Sequence, residues 1–168
     1  MGAEAVRVRW NADHIGDLGG RHYVVTGAQV TLACRDIAKG SAAARDISGA
    51  VTVKQLDLAS LTSIRNFANE MRGETIDVLI NNAGVMAPPL SKTSDGFELQ
   101  IGTNHLGHFA LTALLWDNLM KSDAPRVVTV ASNAHRMGAI NFDDLMSEKK
   151  YSAWGAYGQS KLANLLFK

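Results

Sequence analysis

Short apolar runs rich in β-branched residues alternate with longer segments of helical periodicity, and this alternation constrains the fold more than any other feature. The runs are Tyr23–Thr26, Val30–Cys34, Val51–Leu56, Asp77–Asn81 and Arg126–Ser132. Strands that alternate with helices are typical of parallel sheets with crossover connections. The sequence therefore predicts one α/β domain over residues 1–168, with an open, doubly wound parallel sheet of Rossmann type and about five strands.

The segments between the strands predict helices with recognisable ends. Asp36 is a candidate N-cap for a helix that reaches Ser48, with Gly49 as its stop signal. Ser60 can cap a second helix that ends at Gly73 and carries the i, i+3, i+4, i+7 apolar pattern of Ile64, Phe67, Ala68 and Met71.

The second half of the chain predicts two longer helices. One runs from Phe97 to Lys121 and is apolar on most of its surface, and the last begins near Ala153 and continues to Lys168. A polar loop spans Asn133–Lys150. The lack of alternation in Asp77–Asn81 predicts a strand that is covered on both faces.

Charge and composition exclude several classes of protein. The net charge of +1 argues against a nucleic-acid binder, and the apolar runs are far shorter than the roughly 20 residues that span a bilayer. The single cysteine, Cys34, excludes an internal disulfide framework and a cysteine-based zinc site. Met1–Asp17 has no apolar core of a secretory signal. We expect a cytoplasmic protein that binds no metal, nucleic acid or membrane.

Polar residues follow the predicted strands. In doubly wound sheets, ligands bind outside the carboxyl ends of the strands. The candidate binding residues at those ends are Thr26, Gly27, Arg35, Asp36, Asp57, Asn81, Asn82, Ala83, Gly84 and Ser132.

Tyr157 and Lys161 are four residues apart near the start of the last helix, so their side chains share one face. A nearby ammonium favours the phenolate of a tyrosine, which makes the pair a candidate general acid and base. The spacing is also common on protein surfaces. Ser132 is equally consistent with a capping serine, and Asn104, within an apolar helix, with a core asparagine that satisfies backbone groups.

Taken together, these residues resemble the short-chain dehydrogenase/reductase family. Thr26-Gly27, Asp57, Asn81-Asn82-Ala83-Gly84, Asn104, Ser132 and Tyr157-x-x-x-Lys161 occur in the order of that family. The stretches Ile140–Leu145 and Tyr157–Asn164 are most similar to its retinol-dehydrogenase-like branch, which shares its appearance with the WW-domain oxidoreductases. The resemblance covers the chain from about Trp10 onward.

The resemblance implies a hydride transfer between a nicotinamide cofactor and a small carbonyl or alcohol substrate, with Asn104, Ser132, Tyr157 and Lys161 as the catalytic residues. Tyr157 would exchange a proton with the substrate oxygen, and Lys161 would promote its ionisation and hold the nicotinamide ribose. Ser132 would orient the substrate oxygen, and Asn104 would position a water that links Lys161 to solvent.

The resemblance also implies which residues hold the cofactor. They are Gly27, Arg35, Asp57, Leu58, Asn82, Ala83, Gly84, Tyr157 and Lys161. Asp57 would lie against the adenine. Arg35, which follows the second strand, suits a 2′-phosphate and favours NADP(H) over NAD(H). The helices that carry Asn104 and Tyr157 would form the interface of a homo-oligomer.

The sequence departs from the family pattern in two places. Gln29-Val30 follow Thr26-Gly27-Ala28 directly, so the glycine-rich phosphate loop and the first helix are missing. A parallel crossover needs about a dozen residues, so Tyr23–Thr26 and Val30–Cys34 must form a hairpin, merge, or leave one run unpaired. A hairpin would put the role of Arg35 in doubt. The chain also ends at Lys168, before the family's substrate-binding region, so we expect a truncated chain with impaired activity.

Two further hypotheses remain open at this point. A non-catalytic remnant would retain only the helix–helix interface. A serine hydrolase would use Ser132 with Lys161, or the Ser147-x-x-Lys150 match, but the chain has no G-x-S-x-G motif. His105 and His108 lie on one predicted helix without a supporting metal-binding motif.

Overall fold

A computed structural model describes residues 29–47 and 49–167 of the chain. In chain order, these residues form β1 (Gln29–Cys34), α1 (Ile37–Ala44), β2 (Ala50–Gln55), α2 (Leu61–Glu70), β3 (Val78–Asn81), α3 (Leu99–Ile101), α4 (Gly107–Leu114), α5 (Trp116–Leu119), β4 (Arg126–Thr129) and α6 (Ala153–Leu166). A π-helix (Gly102–Leu106) joins α3 to α4, and two 3-10 helices (Asn133–Met137 and Phe142–Asp144) lie between β4 and α6.

The strands form two parallel pairs. β1 pairs with β2 from Gln29↔Ala50 to Cys34↔Gln55, and β3 pairs with β4 from Val78↔Arg126 to Asn81↔Thr129. The predicted α/β class with parallel strands is thereby confirmed. The first predicted strand, Tyr23–Thr26, lies outside the described residues, as does Gly27.

One apolar core lies beneath the two pairs. Its buried members are Leu56, Leu58, Ile64, Phe67, Met71, Leu111 and Leu115. Ala33 of β1 and Leu79 of β3 pack against the same cluster, so both pairs rest on a layer formed by α2 and α4. Truncating a fully buried member such as Ile64 to alanine costs about 2–5 kcal/mol in comparable cores.

The N-caps of α1 and α2 follow the sequence prediction. The Asp36 side chain accepts a hydrogen bond from the Lys39 backbone N–H, and the Ser60 side chain accepts one from Ser63. The predicted end of the first helix is wrong, because α1 ends at Ala44 rather than Ser48. A turn follows at Arg45 and Asp46, and Gly49 has a φ of 122°, the left-handed conformation that favours glycine.

The predicted coverage of the third described strand is also wrong. Leu79 faces the core, but Val78 and Ile80 are 51% and 43% exposed. In β4, Val127 and Val128 are exposed as well. Within the described residues, helices therefore cover one face of the β3–β4 pair, and the other face lies open.

The long predicted helix from Phe97 to Lys121 is interrupted. The π-helix sits at its centre, where the Gly107 N–H donates to the Gly102 carbonyl, and a turn at Leu115 separates α4 from α5. Single-turn π-helices inside α-helices often mark functional sites. No helix among residues 29–47 and 49–167 is long and apolar enough to cross a membrane.

Candidate active site

The carboxyl ends of β1 and β2 lie at the same edge because the two strands are parallel. Arg35 follows β1 and is exposed, and Asp57 follows β2 and is half-buried. β1 therefore runs in the same direction as β2, and the role of Arg35 in cofactor binding stays a prediction. The Asp57 carboxylate accepts a hydrogen bond from the Ala59 N–H at 2.9 Å, and the Asp57 N–H donates to Ser63 Oγ at 2.9 Å.

Leu58 and Gly107 meet where the backbone approaches a helix closely. A Cβ on Gly107 would lie 2.4 Å from the Leu58 carbonyl oxygen. Real Cβ atoms do not approach an oxygen so closely, so this contact requires glycine at position 107. The contact fixes α4 directly beneath the residues that follow β2.

Asn81 ends β3, and Asn82 and Ala83 follow it. Asn81 is buried, and its side-chain amide donates to Thr112 Oγ1 at 3.0 Å. The side-chain oxygen of Asn81 has no hydrogen-bond partner among the described residues. Ala83 packs at the margin of the core. The end of β3 and the residues after it are therefore held against α4.

Asn104 holds the next residues of that segment. Its Oδ1 accepts from the Val85 N–H at 2.8 Å, and its Nδ2 donates to the Val85 carbonyl and to Ser160 Oγ, each at 2.9 Å. The side chain is fully buried. The Asn104 side chain therefore links the segment after β3 to α6. It satisfies backbone groups of Val85, as the alternative of a core asparagine predicted.

The main-chain carbonyl of Asn104 accepts a hydrogen bond from Nδ1 of His108, at 2.9 Å. Burial lowers the pKa of His108 to about 4, so the ring is neutral near pH 7. Because a carbonyl oxygen only accepts, the proton of this neutral ring must sit on Nδ1.

Lys161 is buried on α6 with its Nζ pointing toward the end of β4. The Nζ donates to the Val130 carbonyl at 3.2 Å, and Asn164 Nδ2 donates to the same oxygen at 3.2 Å. Burial lowers the pKa of Lys161 below its usual 10.5 because the charged ammonium is desolvated. The Nζ also lies 5.8 Å from the centre of the Tyr157 ring.

Gly84 lies between Asn104 and Lys161. A Cβ on Gly84 would be 2.9 Å from Asn104 Oδ1 and 3.6 Å from Lys161 Nζ. A side chain at position 84 would therefore clash with Asn104 and contact the ammonium, so the three residues are closely packed. The structure thus brings together three residues that the sequence predicted for one site.

Tyr157 and Ser132 belong to elements that pack on each other. Ser132 follows β4 and caps the first 3-10 helix, since its Oγ accepts from the Ala134 N–H at 3.2 Å. That helix meets α6 at two glycines, where a Cβ on Gly158 would lie 2.9 Å from the Ala134 carbonyl and 3.0 Å from the Gly138 N–H nitrogen. The Tyr157 ring is half-buried and lies edge-on to Trp154, with ring centres 6.1 Å apart.

The alternatives for these side chains receive less support. A serine nucleophile needs a base within hydrogen-bond reach, but Ser132 Oγ and Lys161 Nζ each bond to other groups. No group of three metal-ligating side chains occurs among the described residues. Cys34 is half-buried, and its Sγ donates to the Asp36 carbonyl at 3.3 Å.

Sequence reasoning missed several residues that shape the site. They are Gln100, Gly107, Gly138, Gly158 and Ser160. The glycines carried the clearest signal, because Gly107 and Gly158 lie within helices, where glycine costs about 1 kcal/mol relative to alanine. A glycine kept at such a position indicates a close backbone approach.

The fold and the site together define a Rossmann-type α/β domain with a Tyr-x-x-x-Lys pair whose lysine bonds to the backbone just after β4. The family model described as short chain dehydrogenase matches residues 12–167. The chain belongs to that family.

Known relatives agree with this assignment. Human retinol dehydrogenase 12 is 51% identical over 160 residues, which cover 91% of this chain and 51% of that protein. A crystal structure of a Mycobacterium paratuberculosis protein is 58% identical, with a TM-score of 0.78 over 84% of this chain and 51% of that one. A Sphingobium yanoikuyae short-chain dehydrogenase in complex with NADPH is 26% identical, with a TM-score of 0.61 over 83% of this chain and 53% of that one. The chain thus spans about half the length of the curated relatives it matches.

Proposed function

We propose that this chain forms the catalytic half of an oxidoreductase that transfers hydride between NADP(H) and the carbonyl or alcohol carbon of a small substrate. One observation carries the proposal: the Lys161 ammonium, the Asn104 amide and the backbone of Gly84 meet at the carboxyl edge of the strands. Tyr157 lies one helical turn before Lys161, with its ring 5.8 Å from Nζ.

The nicotinamide ribose would lie beside Lys161. A Cβ on Gly84 would reach van der Waals contact with Nζ, at 3.6 Å, and would clash with Asn104 Oδ1 at 2.9 Å. An ammonium has three donors, and among the described residues Lys161 uses one of them, on the Val130 carbonyl. The other two suit the ribose hydroxyls.

The side chains of this chain would handle the proton and the substrate oxygen. Tyr157 would donate its phenolic proton to a carbonyl oxygen in reduction and accept a proton from an alcohol in oxidation. Lys161, with its positive charge on the same helix face, would favour the phenolate form. Ser132 would donate a hydrogen bond to the substrate oxygen. The bound dinucleotide supplies or accepts the hydride.

Arg35 favours NADP(H) over NAD(H). Its guanidinium is exposed immediately after β1, beside the edge where Asp57 follows β2. A guanidinium binds a phosphate with two parallel hydrogen bonds, whereas an acidic residue at this position would favour the free 2′-hydroxyl of NAD. The NADPH complex of the Sphingobium relative supports the same choice.

The names of the relatives suggest the substrate class. Retinol dehydrogenases 11 and 12 are about half identical to this chain, so we propose an apolar alcohol or aldehyde of the retinoid type. A cytoplasmic location stays a prediction from the sequence.

Turnover of NADPH tests the proposal. Purified chain would be mixed with NADPH and retinal, or with a short aldehyde, and the loss of absorbance near 340 nm would be followed. We expect Tyr157→Phe and Lys161→Met to lower the rate by roughly 100-fold or more, as loss of a general acid does. Lys39→Met, which removes an exposed lysine on α1, should leave the rate unchanged. A wild-type rate equal to that of Tyr157→Phe would contradict the proposal.

A second candidate function is assembly with a second copy of the chain. Phe109 and Trp116 are 52% and 53% exposed and line a cavity of about 430 Å³ together with Phe167. These residues lie on α4, on α5 and at the end of α6, the helices that the family resemblance places at a subunit interface. Light scattering should give the mass of a dimer that Phe109→Asp converts to a monomer, and a wild-type monomer at high concentration would contradict this candidate.

A further inference from the structure

Gln100 is a fully buried glutamine whose amide is completely occupied. It lies on α3, four residues before Asn104. Its Oε1 accepts from the Ala87 N–H at 2.9 Å, and its Nε2 donates to Tyr151 Oη at 3.1 Å and to the Ala153 carbonyl at 2.9 Å. The Glu98 carboxylate accepts from the backbone N–H groups of Gln100 and Ile101, which fixes the backbone from which this side chain projects.

The groups that Gln100 joins belong to the two halves of the candidate site. Ala87 lies three residues after Gly84, on the segment that leaves β3. Ala153 is the first residue of α6, four residues before Tyr157. Tyr151 reinforces the link, because its hydroxyl donates to the Pro88 carbonyl at 2.6 Å.

The backbone of Ala87, which Gln100 holds, has an unfavourable conformation. Its φ is 49°, in the left-handed region that side chains other than glycine rarely adopt. Such a backbone persists only where its surroundings determine it. The hydrogen bond from the Ala87 N–H to Gln100 Oε1 stabilises this conformation.

Gln100 and Asn104 lie on one helix face, and both bond to the segment after Gly84 and to α6. Asn104 holds Val85 and Ser160, whereas Gln100 holds Ala87 and Ala153. Each amide therefore spans from the segment after Gly84 to α6, at points one turn apart along the supporting helix.

We propose that Gln100 is a positioning residue that sets the separation between the Gly84 segment and the helix of Tyr157. This inference rests on the proposed function, because the separation matters only if dinucleotide and substrate bind between these elements. Gln100 itself touches neither of them.

The test compares three variants by dinucleotide affinity, turnover and amide hydrogen exchange. Gln100→Met keeps the length of the side chain but removes its three hydrogen bonds. Tyr151→Phe removes only the hydroxyl links, and Gln100→Glu keeps an acceptor for Ala87 but loses the Nε2 donor. We expect Gln100→Met to raise the Kd for NADPH about fivefold or more and to lower kcat about tenfold, with an unchanged far-UV circular dichroism spectrum. Tyr151→Phe should show a smaller loss of the same kind, and it decides the matter if Gln100→Met does not fold.

The glutamate variant gives a readout that a merely structural role would not move. Glu98 and the Tyr151 hydroxyl face position 100, and a glutamate buried beside them protonates more readily than in water. Once protonated, it again donates to the Ala153 carbonyl. The kcat of Gln100→Glu should therefore recover severalfold, relative to wild type, between pH 8 and pH 6.

Two results would overturn the inference. One is Gln100→Met with wild-type Kd and kcat, whatever happens to its stability. The other is an Ala87 amide that exchanges as slowly in Gln100→Met as in wild type, where we expect at least tenfold faster exchange. If the wild-type chain binds no NADPH, the proposed function fails, and the Ala87 exchange still decides whether Gln100 holds this segment.

Discussion

Gly84 and Lys161 lie so that a Cβ on Gly84 would come into van der Waals contact with the ammonium nitrogen, at 3.6 Å. The two residues are far apart in sequence, one after β3 and the other inside α6. The same Cβ would lie 2.9 Å from Asn104 Oδ1, so the three residues are packed together at the carboxyl ends of the strands. The proposed chemistry depends on this packing.

Gly84→Ala should destabilise the protein and disturb the packing beside Lys161. The new methyl group would lie 2.9 Å from Asn104 Oδ1, an oxygen held in place by the Val85 N–H. Overpacking of this kind costs about 1–3 kcal/mol, measured as a fall in the free energy of unfolding in urea. Gly155→Ala, in the exposed first turn of α6, is the matched control, since its Cβ would meet only the Ser152 side chain, at 3.3 Å, and it should lower the stability less than Gly84→Ala does. Equal stabilities of Gly84→Ala and wild type would contradict the packing described here.

Gly158→Ala should push the segment after Ser132 away from α6. Its Cβ would meet the Ala134 carbonyl at 2.9 Å and the Gly138 nitrogen at 3.0 Å, and these backbone atoms can move only with the whole 3-10 helix. We expect a loss of about 1–3 kcal/mol in the free energy of unfolding, even though alanine favours a helix. A shift of about 1 Å in a positioned group can cost roughly 100-fold in rate, so turnover should fall more than stability alone explains. A more stable and fully active variant would show that the two elements do not touch here.

The stability of the protein should fall with acid because of His108. Its pKa is about 4 in the folded protein and 6.5 in the unfolded chain, so the unfolded state binds more protons below pH 6.5. The contribution is therefore complete above pH 6.5 and is lost as the pH falls toward 4. Between pH 7 and pH 5 this loss amounts to about 2 kcal/mol, at 1.36 kcal/mol per pKa unit.

His108→Gln isolates that contribution. Glutamine keeps a donor for the Asn104 carbonyl but does not titrate, so its urea unfolding curves should lose about 2 kcal/mol less than wild type between pH 7 and pH 5. The burial of His105 lowers the pKa of that residue as well, but the variant leaves it in place and its contribution cancels in the comparison. Parallel pH profiles for wild type and His108→Gln would contradict a buried neutral His108.

Arg35→Ser should shift the preference between dinucleotides. Loss of a charged hydrogen-bonding partner costs about 1.5–3 kcal/mol, or roughly ten- to 100-fold in affinity for NADPH, and the affinity for NADH should change little. Arg45→Ser removes an exposed arginine of equal charge just after α1 and serves as the control. A uniform loss for both dinucleotides, or the same loss in both variants, would exclude a specific 2′-phosphate contact.

The sequence predicted well where one period dominates a segment. Ser60 and the spacing of Ile64, Phe67 and Met71 located α2, and these three apolar residues are buried. The strands were located within one or two residues except for the fifth, Arg126–Ser132, because β4 pairs only as far as Thr129 and the remaining residues leave the ladder toward Ser132.

Prediction failed where tertiary contacts override the local pattern. The helix from Phe97 to Lys121 looks continuous at a 3.6-residue period, but Gly102 and Gly107 pack against Thr93 and the Leu58 carbonyl. The π-helix between them adjusts the register, and no hydrophobic pattern reports such a contact. For the same reason Gln100 went unnoticed, since a single buried amide has no periodic signature.

The site residues follow the same division. The Tyr-x-x-x-Lys spacing and the polar strand ends could be read directly, and the structure brings Gly84, Asn104 and Lys161 together. The Asn104 side chain bonds to Val85 and Ser160. These contacts depend on how two segments distant in sequence pack together, and residue spacing does not encode that packing.

Dinucleotide binding tests the central claim most directly. Wild-type chain would be titrated with NADPH while the nicotinamide fluorescence is recorded, with Gly84→Ala measured in parallel and circular dichroism confirming that both are folded. The account predicts saturable binding within the usual micromolar to millimolar range, below about 1 mM, and at least tenfold weaker binding by Gly84→Ala. A folded wild-type protein that shows no saturable change up to about 1 mM NADPH would contradict it.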